Sequence, residues 1–120
     1  VVALGPDGIL WEASLPGDWE WTSCITVTDN HVIGTASHVE LSSEQLATLT
    51  FPSFTDDALV ILDRETGEQV FEHTLPDDGA ATVTIGSDGS LYAGIMGFLS
   101  ILSVDDRPDL GLVRLRPVAP

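Results

Sequence analysis

LDRETGEQVFEHTLPDD, residues 62–78, joins an apolar strand end, an Asp, a Thr-Gly turn, an aromatic residue and a closing Leu-Pro. Nearly the same order occurs in GPDGILWEASLPGD, residues 5–18. When the two Leu-Pro pairs are aligned, Trp11 falls on Phe71. Self-similarity of this kind is the sequence signature of repeat architectures, so the chain is expected to repeat one structural unit.

The similarity continues downstream of both segments. TVTDNHVIGT, residues 26–35, resembles TIGSDGSLYAG, residues 84–94, and both read as a strand, a polar turn and another strand. Asp88-Gly89 is a strong hairpin signal, and Asp29-Asn30 is a weaker one. A third start, FLSILSVDD at 98–106, aligns with ALVILDRET at 58–66. The sequence therefore predicts a single segment, residues 1–120, with copies starting near 1, 58 and 98.

Short stretches rich in branched and aromatic residues separate the turns, which is typical of β-strands. Several of them lack strict alternation, so we expect strands that are buried on both faces. About four strands fit into each copy. The separation of Leu59 and Leu99 along the chain falls within the ~40–45 residues of a propeller blade. The prediction is an all-β fold with sheets of four antiparallel strands packed face to face.

The composition excludes several classes of function. Hydrophobic residues make up 43% of the 120 residues, as in a globular domain, and no apolar run reaches membrane-span length. The net charge of −15 repels phosphate backbones and anionic lipid, which disfavours nucleic acid and membrane surfaces as partners. A basic protein or cations remain as partners that this charge could attract. Without an initiator Met or a leader-like segment, the chain is expected to be a mature protein or part of a longer one.

Cys24 is the single cysteine, so an intrachain disulfide is impossible. It stands in SCITVT, residues 23–28, which reads as a strand. We expect a buried, inert thiol there, because no cationic neighbour or helix start is visible nearby.

ALVILDRETGEQVFEH, residues 58–73, resembles the repeat of the pyrroloquinoline-quinone-dehydrogenase-like β-propellers. The resemblance implies blades of four antiparallel strands, with an aromatic residue docked between neighbouring blades. Phe71 fills that place, and Trp11 fills it in the first copy after a shortened turn, so both are expected to be buried. The third copy departs from the pattern, because it lacks Thr-Gly and Leu112 stands at the aromatic position.

Propellers have ~4–8 blades, whereas this chain accounts for two to three. Three explanations stay open: a segment of a longer polypeptide, one chain of a multi-chain propeller, or a homo-oligomer that closes a ring. The partner is therefore a protein or the remaining blades.

The span from Ile33 to Ala58 is much longer than the matching span from Tyr92 to Phe98. This predicts one long inserted loop at about 37–55 of the first copy. A capping-box pattern over 42–45 predicts a short helix at 43–49. Long loops in compact domains are often functional, so we expect a protein-binding loop. Its predicted contact residues are Glu40, Leu41, Glu44, Leu49, Phe51 and Phe54.

Some polar and aromatic residues allow two interpretations. His38, Glu40 and Glu44, with Asp56-Asp57 at the far end of the insertion, could hold a metal, but their spacing favours a solvated polar loop, and no metal is expected. Trp19 and Trp21 face one way if they lie on a strand. Core packing is the favoured interpretation, and a stacking platform for a sugar or another flat ligand is the alternative.

No catalytic motif is present, and no cofactor is expected. The family's quinone enzymes commonly carry a vicinal Cys-Cys pair and a calcium site of Glu, Asn and Asp. Cys24 is solitary and Asn30 is the only Asn, which argues against an enzyme. The hypothesis is a non-catalytic propeller segment that acts as a protein-binding scaffold in the periplasm or the extracellular medium. The alternative is a fragment of a quinone-dependent dehydrogenase whose catalytic residues lie in other blades.

Overall fold

Every element of the described chain is a β-strand. The computed structural model describes residues 1–16, 19–38, 56–76, 79, 81–95 and 111–117. The strands are β1 (Val2–Gly5), β2 (Gly8–Glu12), β3 (Trp19–Trp21), β4 (Thr26–Val27), β5 (His31–His38), β6 (Asp56–Asp63), β7 (Gln69–Leu75), β8 (Thr84–Ile85), β9 (Leu91–Ile95) and β10 (Gly111–Leu115). All pairings are antiparallel, which confirms the prediction of an all-β fold. The predicted helix at 43–49 lies outside the described residues.

The strands form three sheets. The first sheet is the hairpin β1–β2, the central sheet runs β3-β5-β6-β7 with β4 also on β5, and the third sheet runs β10-β9-β8. In the central sheet the long strands β5 and β6 pair from His31–Asp63 to His38–Asp56. Successive residues of β6 are buried over Asp57–Val60, as expected for ALVIL, a strand without strict alternation. The same expectation fails for β7, whose residues are exposed from Gln69 to Thr74.

One face of the central sheet packs on the first sheet. The buried residues of this face are Val32, Ala36, Ala58, Val60 and Leu62. Trp11, Ala13 and Leu15 of the first sheet and its extension pack against them. Burial of these branched side chains contributes ~25 cal/mol for each Å² of apolar surface removed from water.

The opposite face packs on the third sheet. Ile33, Leu59 and Leu75 of the central sheet form one cluster with Val83, Ala93 and Ile95. The central sheet is therefore covered on both sides. The sequence predicts four strands in each sheet, whereas the described residues form sheets of two, five and three strands.

The repeat is visible in the strand register. Ala3 pairs with Trp11 in the first sheet, and Ile61 pairs with Phe71 in the central sheet. The register then shifts at the same step in both hairpins, directly after Ala3 and directly after Ile61. Bulges re-aim side chains, so a shared bulge gives both hairpins the same alternation of faces. The aligned sequences thus fold into equivalent hairpins.

Phe71 does not meet the expectation of burial. Its side chain is 44% exposed, and Trp11 is half-buried. Phe71 lies on the outer strand β7, beside an apolar groove of about 250 Å³ whose other wall includes Leu91, Leu115 and Pro117. The prediction for Phe71 was wrong, because the ring lines an open groove beside Leu91 and Leu115 of the third sheet and is not enclosed by them.

The third sheet is completed by residues 111–115. They pair with β9 in the way that 58–62 pair with β5, and they supply Val113 and Leu115 to the shared cluster. The predicted copy start at 98–106 lies outside the described residues. Residues 39–55 separate β5 from β6 along the chain, and residues 96–110 separate β9 from β10.

Candidate functional site

The two long connections leave the sheets at one end. β5 ends at His38 and β6 begins at Asp56, while β9 ends at Ile95 and β10 begins at Gly111. Because β5–β6 and β9–β10 are equivalent strand pairs, both connections start and return on the same side of neighbouring sheets. We call this side the loop end, defined by Ser37–His38, Asp56–Asp57, Ile95 and Gly111.

The predicted contact residues of the inserted loop lie outside the described part of the chain. These are Glu40, Leu41, Glu44, Leu49, Phe51 and Phe54. The structure therefore describes the base of this loop, and its partner-binding role stays a prediction.

The base carries two indole rings packed on the sheet. Trp19 pairs with His38 across β3 and β5, and the two rings stack with centroids 5.8 Å apart. Trp21 covers Gly34, where an added Cβ would come within 2.9 Å of the indole. Both indoles pack against the cluster that faces the first sheet. The core-packing interpretation of Trp19 and Trp21 is therefore the one that the contacts support.

A buried polar cluster lies beside the loop end. Asp57 is 1% exposed, and its Oδ2 accepts a hydrogen bond of 2.6 Å from the backbone N–H of Gly79. The Gly79 carbonyl accepts from the hydroxyl of Thr22 at 3.1 Å and also from the hydroxyl of Thr35. A Cβ on Gly79 would lie 2.6 Å from Leu75 Cδ1 and 3.1 Å from Thr35 Cγ2, so a larger residue there would have to displace both side chains.

This cluster holds the segment that connects the central sheet to the third sheet. Buried polar groups are costly unless they are hydrogen-bonded, and here carboxylate and hydroxyls satisfy both polar atoms of the Gly79 backbone. Sequence reasoning grouped Asp57 with the polar residues of the inserted loop. One feature of the sequence does indicate the buried role of Asp57. It stands directly before the apolar run ALVIL, and a carboxylate that begins a buried strand needs a hydrogen-bond partner.

The turn after β6 is closed by its own side chains. Asp63 Oδ1 accepts from the N–H of Glu65 at 2.9 Å and of Thr66 at 2.8 Å, and from the Thr66 hydroxyl at 3.1 Å. The backbone hydrogen bond from Thr66 is the main cause of a lowered pKa of Asp63. Gly67 adopts φ +76°, a conformation that other L residues rarely adopt. The Asp-x-x-Thr-Gly pattern thus encodes a hydrogen-bonded turn.

The same turn receives the indole of the neighbouring sheet. Trp11 Nε1–H donates to the Arg64 carbonyl at 2.8 Å, and a Cβ on Gly67 would lie 2.7 Å from the indole. Arg64 in turn is held by its N–H to Asn30 at 2.9 Å and by its guanidinium to the Thr28 carbonyl at 3.0 Å. Trp11 therefore docks the first sheet onto the turn of the central sheet.

The turn between β8 and β9 contains a comparable carboxylate. Asp88 accepts from the N–H of Ser90 at 3.0 Å and pairs with Arg114 at 2.7 Å. The backbone hydrogen bond from Ser90 is the first cause of a lowered pKa of Asp88. Gly89 has φ +78°, so the predicted Asp88-Gly89 turn between paired strands is confirmed.

The thiol and two of the histidines have ordinary surroundings. Cys24 is exposed and lies between β3 and β4, so the prediction of a buried strand cysteine was wrong. The strand read through SCITVT is broken there, and only Thr26–Val27 pair with β5. His31 is exposed at the start of β5, and His73 is exposed with its ring stacked on Phe71 at 6.5 Å.

No group of three or more His, Cys, Asp or Glu residues that could hold a metal ion occurs among the described residues. The same part of the chain contains no helix long and apolar enough to cross a membrane.

Comparison with family models, with curated proteins and with solved structures found no match.

Proposed function

We propose that the chain is a segment of a β-propeller that serves, in the periplasm or the extracellular medium, as a non-catalytic protein-binding scaffold. One observation carries the proposal: Trp11 of one repeat docks on the Asp63–Gly67 turn of the next. Repeats that interlock with their neighbours build a continuous core and leave the connections free for contacts. The resemblance to the quinoprotein-type repeat supports the same reading.

The carboxylates of the described turns have structural roles in this proposal. Asp63 and Asp88 accept backbone N–H groups of their own turns, and Asp57 holds the crossing segment at Gly79. Side chains committed to holding backbone are poorly placed to act on a substrate. This leaves recognition by the long connections as the activity that the architecture favours.

The loop end is the proposed binding surface. Connections 39–55 and 96–110 both belong to it, so a partner could contact two neighbouring sheets at once. The acidic composition favours a basic surface on that partner, because electrostatic complementarity speeds association and disfavours wrong partners.

Replacing 39–55 with a short Gly-containing turn tests this surface. The wild-type chain, the replacement variant and a Glu65→Lys control at the opposite end of the sheet are immobilised, and captured proteins are compared by quantitative mass spectrometry. A purified candidate is then titrated by calorimetry. We expect at least a hundredfold weaker binding for the replacement variant and little change for the control. Unchanged binding by a folded replacement variant would place the function elsewhere.

A fragment of a quinone-dependent dehydrogenase would share the interlocked sheets. The two hypotheses separate in a dye-reduction assay with alcohols or sugars, in the presence of the quinone and calcium. The scaffold proposal expects no turnover above the protein-free reaction, and quinone-dependent reduction by this chain would overturn it.

A further inference from the structure

The register equivalence assigns a buried counterpart to each of two exposed leucines. In the first sheet, Leu4 holds the position of Leu62, because both directly follow the shared register shift. Leu62 is 2% exposed beneath the first sheet, whereas Leu4 is 75% exposed. The outer face of the first sheet, defined as Val2, Leu4 and Ile9, thus resembles a covered face from which the cover is missing.

The third sheet also has an exposed leucine with a buried counterpart, on the opposite type of face. Leu112 pairs with Gly94 as Leu59 pairs with Thr35. Leu59 is fully buried under the third sheet, whereas Leu112 is 67% exposed. The outer face of the third sheet is defined as Tyr92, Leu112 and Arg114. It corresponds to the face of the central sheet that packs on the third sheet.

We propose that these two outer faces bind one another between two copies of this chain, head to tail. The interface continues a pattern that the molecule already uses twice, since each sheet covers the equivalent face of the next. Val2 and Ile9 are 46% and 64% exposed, so the first sheet offers an apolar surface of the kind that marks an interface. This inference rests on the proposed propeller architecture, and it identifies a second copy of this chain as the partner.

Charge favours this pairing over a face-to-itself pairing. Glu12 lies opposite Val2 on the outer face of the first sheet. Arg114, which pairs with Asp88 of its own chain, lies on the outer face of the third sheet. Arg114 is one of only four basic residues in a chain of net charge −15. Two copies of the first sheet would bring Glu12 against Glu12, whereas the head-to-tail arrangement brings Arg114 toward Glu12.

The number of sheets fits a closed ring. A heterologous interface gives a ring when the rotation closes. Three sheets from each of two copies give six, which lies within the ~4–8 blades of known propellers. The expected assembly is therefore a dimer with two equal interfaces.

Sedimentation velocity and light scattering up to about 1 mM protein test the assembly. We expect a dimer for the wild type and a monomer for Leu4→Glu and for Leu112→Glu. Val70→Glu, which introduces the same charge at a 53% exposed site on β7, serves as the matched control and should remain dimeric. Near-UV circular dichroism checks that both monomeric variants stay folded.

Mixing the two monomeric variants decides the orientation. In a head-to-tail ring, Leu4→Glu retains an intact third sheet and Leu112→Glu retains an intact first sheet, so an equimolar mixture should recover a dimer through one interface. A dimer of Leu112→Glu alone would indicate pairing of first sheets and overturn the proposal. A monomeric wild type would overturn it as well, while loop-dependent partner binding would still stand, so the two proposals fail separately.

Discussion

Single residues at the turns decide how the repeats interlock. Gly67 combines a positive φ with direct contact to the Trp11 indole, so the position requires glycine on two independent grounds. The Asp63 carboxylate closes the same turn by accepting the Thr66 N–H. The Arg64 carbonyl of this turn accepts the indole N–H of Trp11. The Asp-x-x-Thr-Gly pattern of the turn therefore forms the surface on which the neighbouring sheet docks.

Gly67→Ala should lower the free energy of unfolding by about 2–4 kcal/mol. About 1–2 kcal/mol comes from the left-handed backbone, and the rest from displacing the indole. Gly89→Ala is the matched control, because Gly89 has φ +78° and an added Cβ there would meet only Pro117 Cγ, at an ordinary 3.4 Å. Urea denaturation measures both variants. Equal losses would mean that the indole contact at Gly67 is unimportant.

Acid should weaken the turns through Asp63 and Asp88. Both have a pKa lowered below 3.8 in the folded chain, so they contribute stability above the pKa of the unfolded chain, near 4. That contribution is lost as the pH falls through the lowered folded pKa. The double variant Asp63→Asn/Asp88→Asn should be less stable than wild type at pH 7 and should lose less between pH 5 and pH 2.5.

Urea midpoints across this pH range provide the measurement. Glu12→Gln is the control, because it removes one carboxylate from β2 without touching either turn. If the double variant and the control show the same acid loss as wild type, the two turn carboxylates have no special part in it.

Among whole elements, the hairpins were predictable and the pairing of β10 was not. The Asp-x-x-Thr-Gly and Asp-Gly turns are local, so the sequence indicates β6–β7 and β8–β9 directly. The pairing of 111–115 with β9 is nonlocal and depends on which apolar residues reach the shared cluster. FLSILSVDD matches the composition of a strand at 98–106, and composition alone does not distinguish it from 111–115.

The candidate site was predictable to a smaller extent. The sequence indicated a long connection after β5, and the structure adds the equivalent connection after β9. The role of Asp57 escaped prediction because its partner, Gly79, lies beyond β7 and meets it only in the folded chain. The exposure of Phe71 likewise depends on how far a neighbouring sheet extends.

Trp11→Ala should destabilise the protein more than Phe71→Ala. The indole lies between two sheets and donates a hydrogen bond, so we expect a loss of about 2–4 kcal/mol, below the full value for a buried ring because Trp11 is half-buried. Phe71 is 44% exposed, so its truncation should cost about 1–2 kcal/mol.

Chemical denaturation ranks the two truncations, and Trp11→Phe serves as the intermediate variant. It keeps an aromatic ring but removes the N–H donor to Arg64, which should cost about 1 kcal/mol. A larger loss for Phe71→Ala than for Trp11→Ala would show that the second interface, not the first, depends on its aromatic residue.

The whole molecule carries 19 acidic and four basic residues, so its charges repel one another in the compact state. Screening this repulsion should stabilise the fold, since the Debye length falls from ~30 Å at 0.01 M salt to ~10 Å at 0.1 M. Raising sodium chloride from 0.01 M to 0.5 M is therefore expected to add about 1 kcal/mol, which corresponds to roughly 4 °C in Tm for a domain of this size. Choline chloride at equal ionic strength should give the same gain, because the effect requires no specific cation.

The variant Asp7→Asn/Glu12→Gln/Glu65→Gln/Glu68→Gln removes four exposed charges. It should be more stable than wild type at low salt, and its stability should respond less to added salt. Differential scanning calorimetry compares these conditions. A much larger gain from calcium chloride at matched ionic strength would contradict simple screening and would point to a specific cation site.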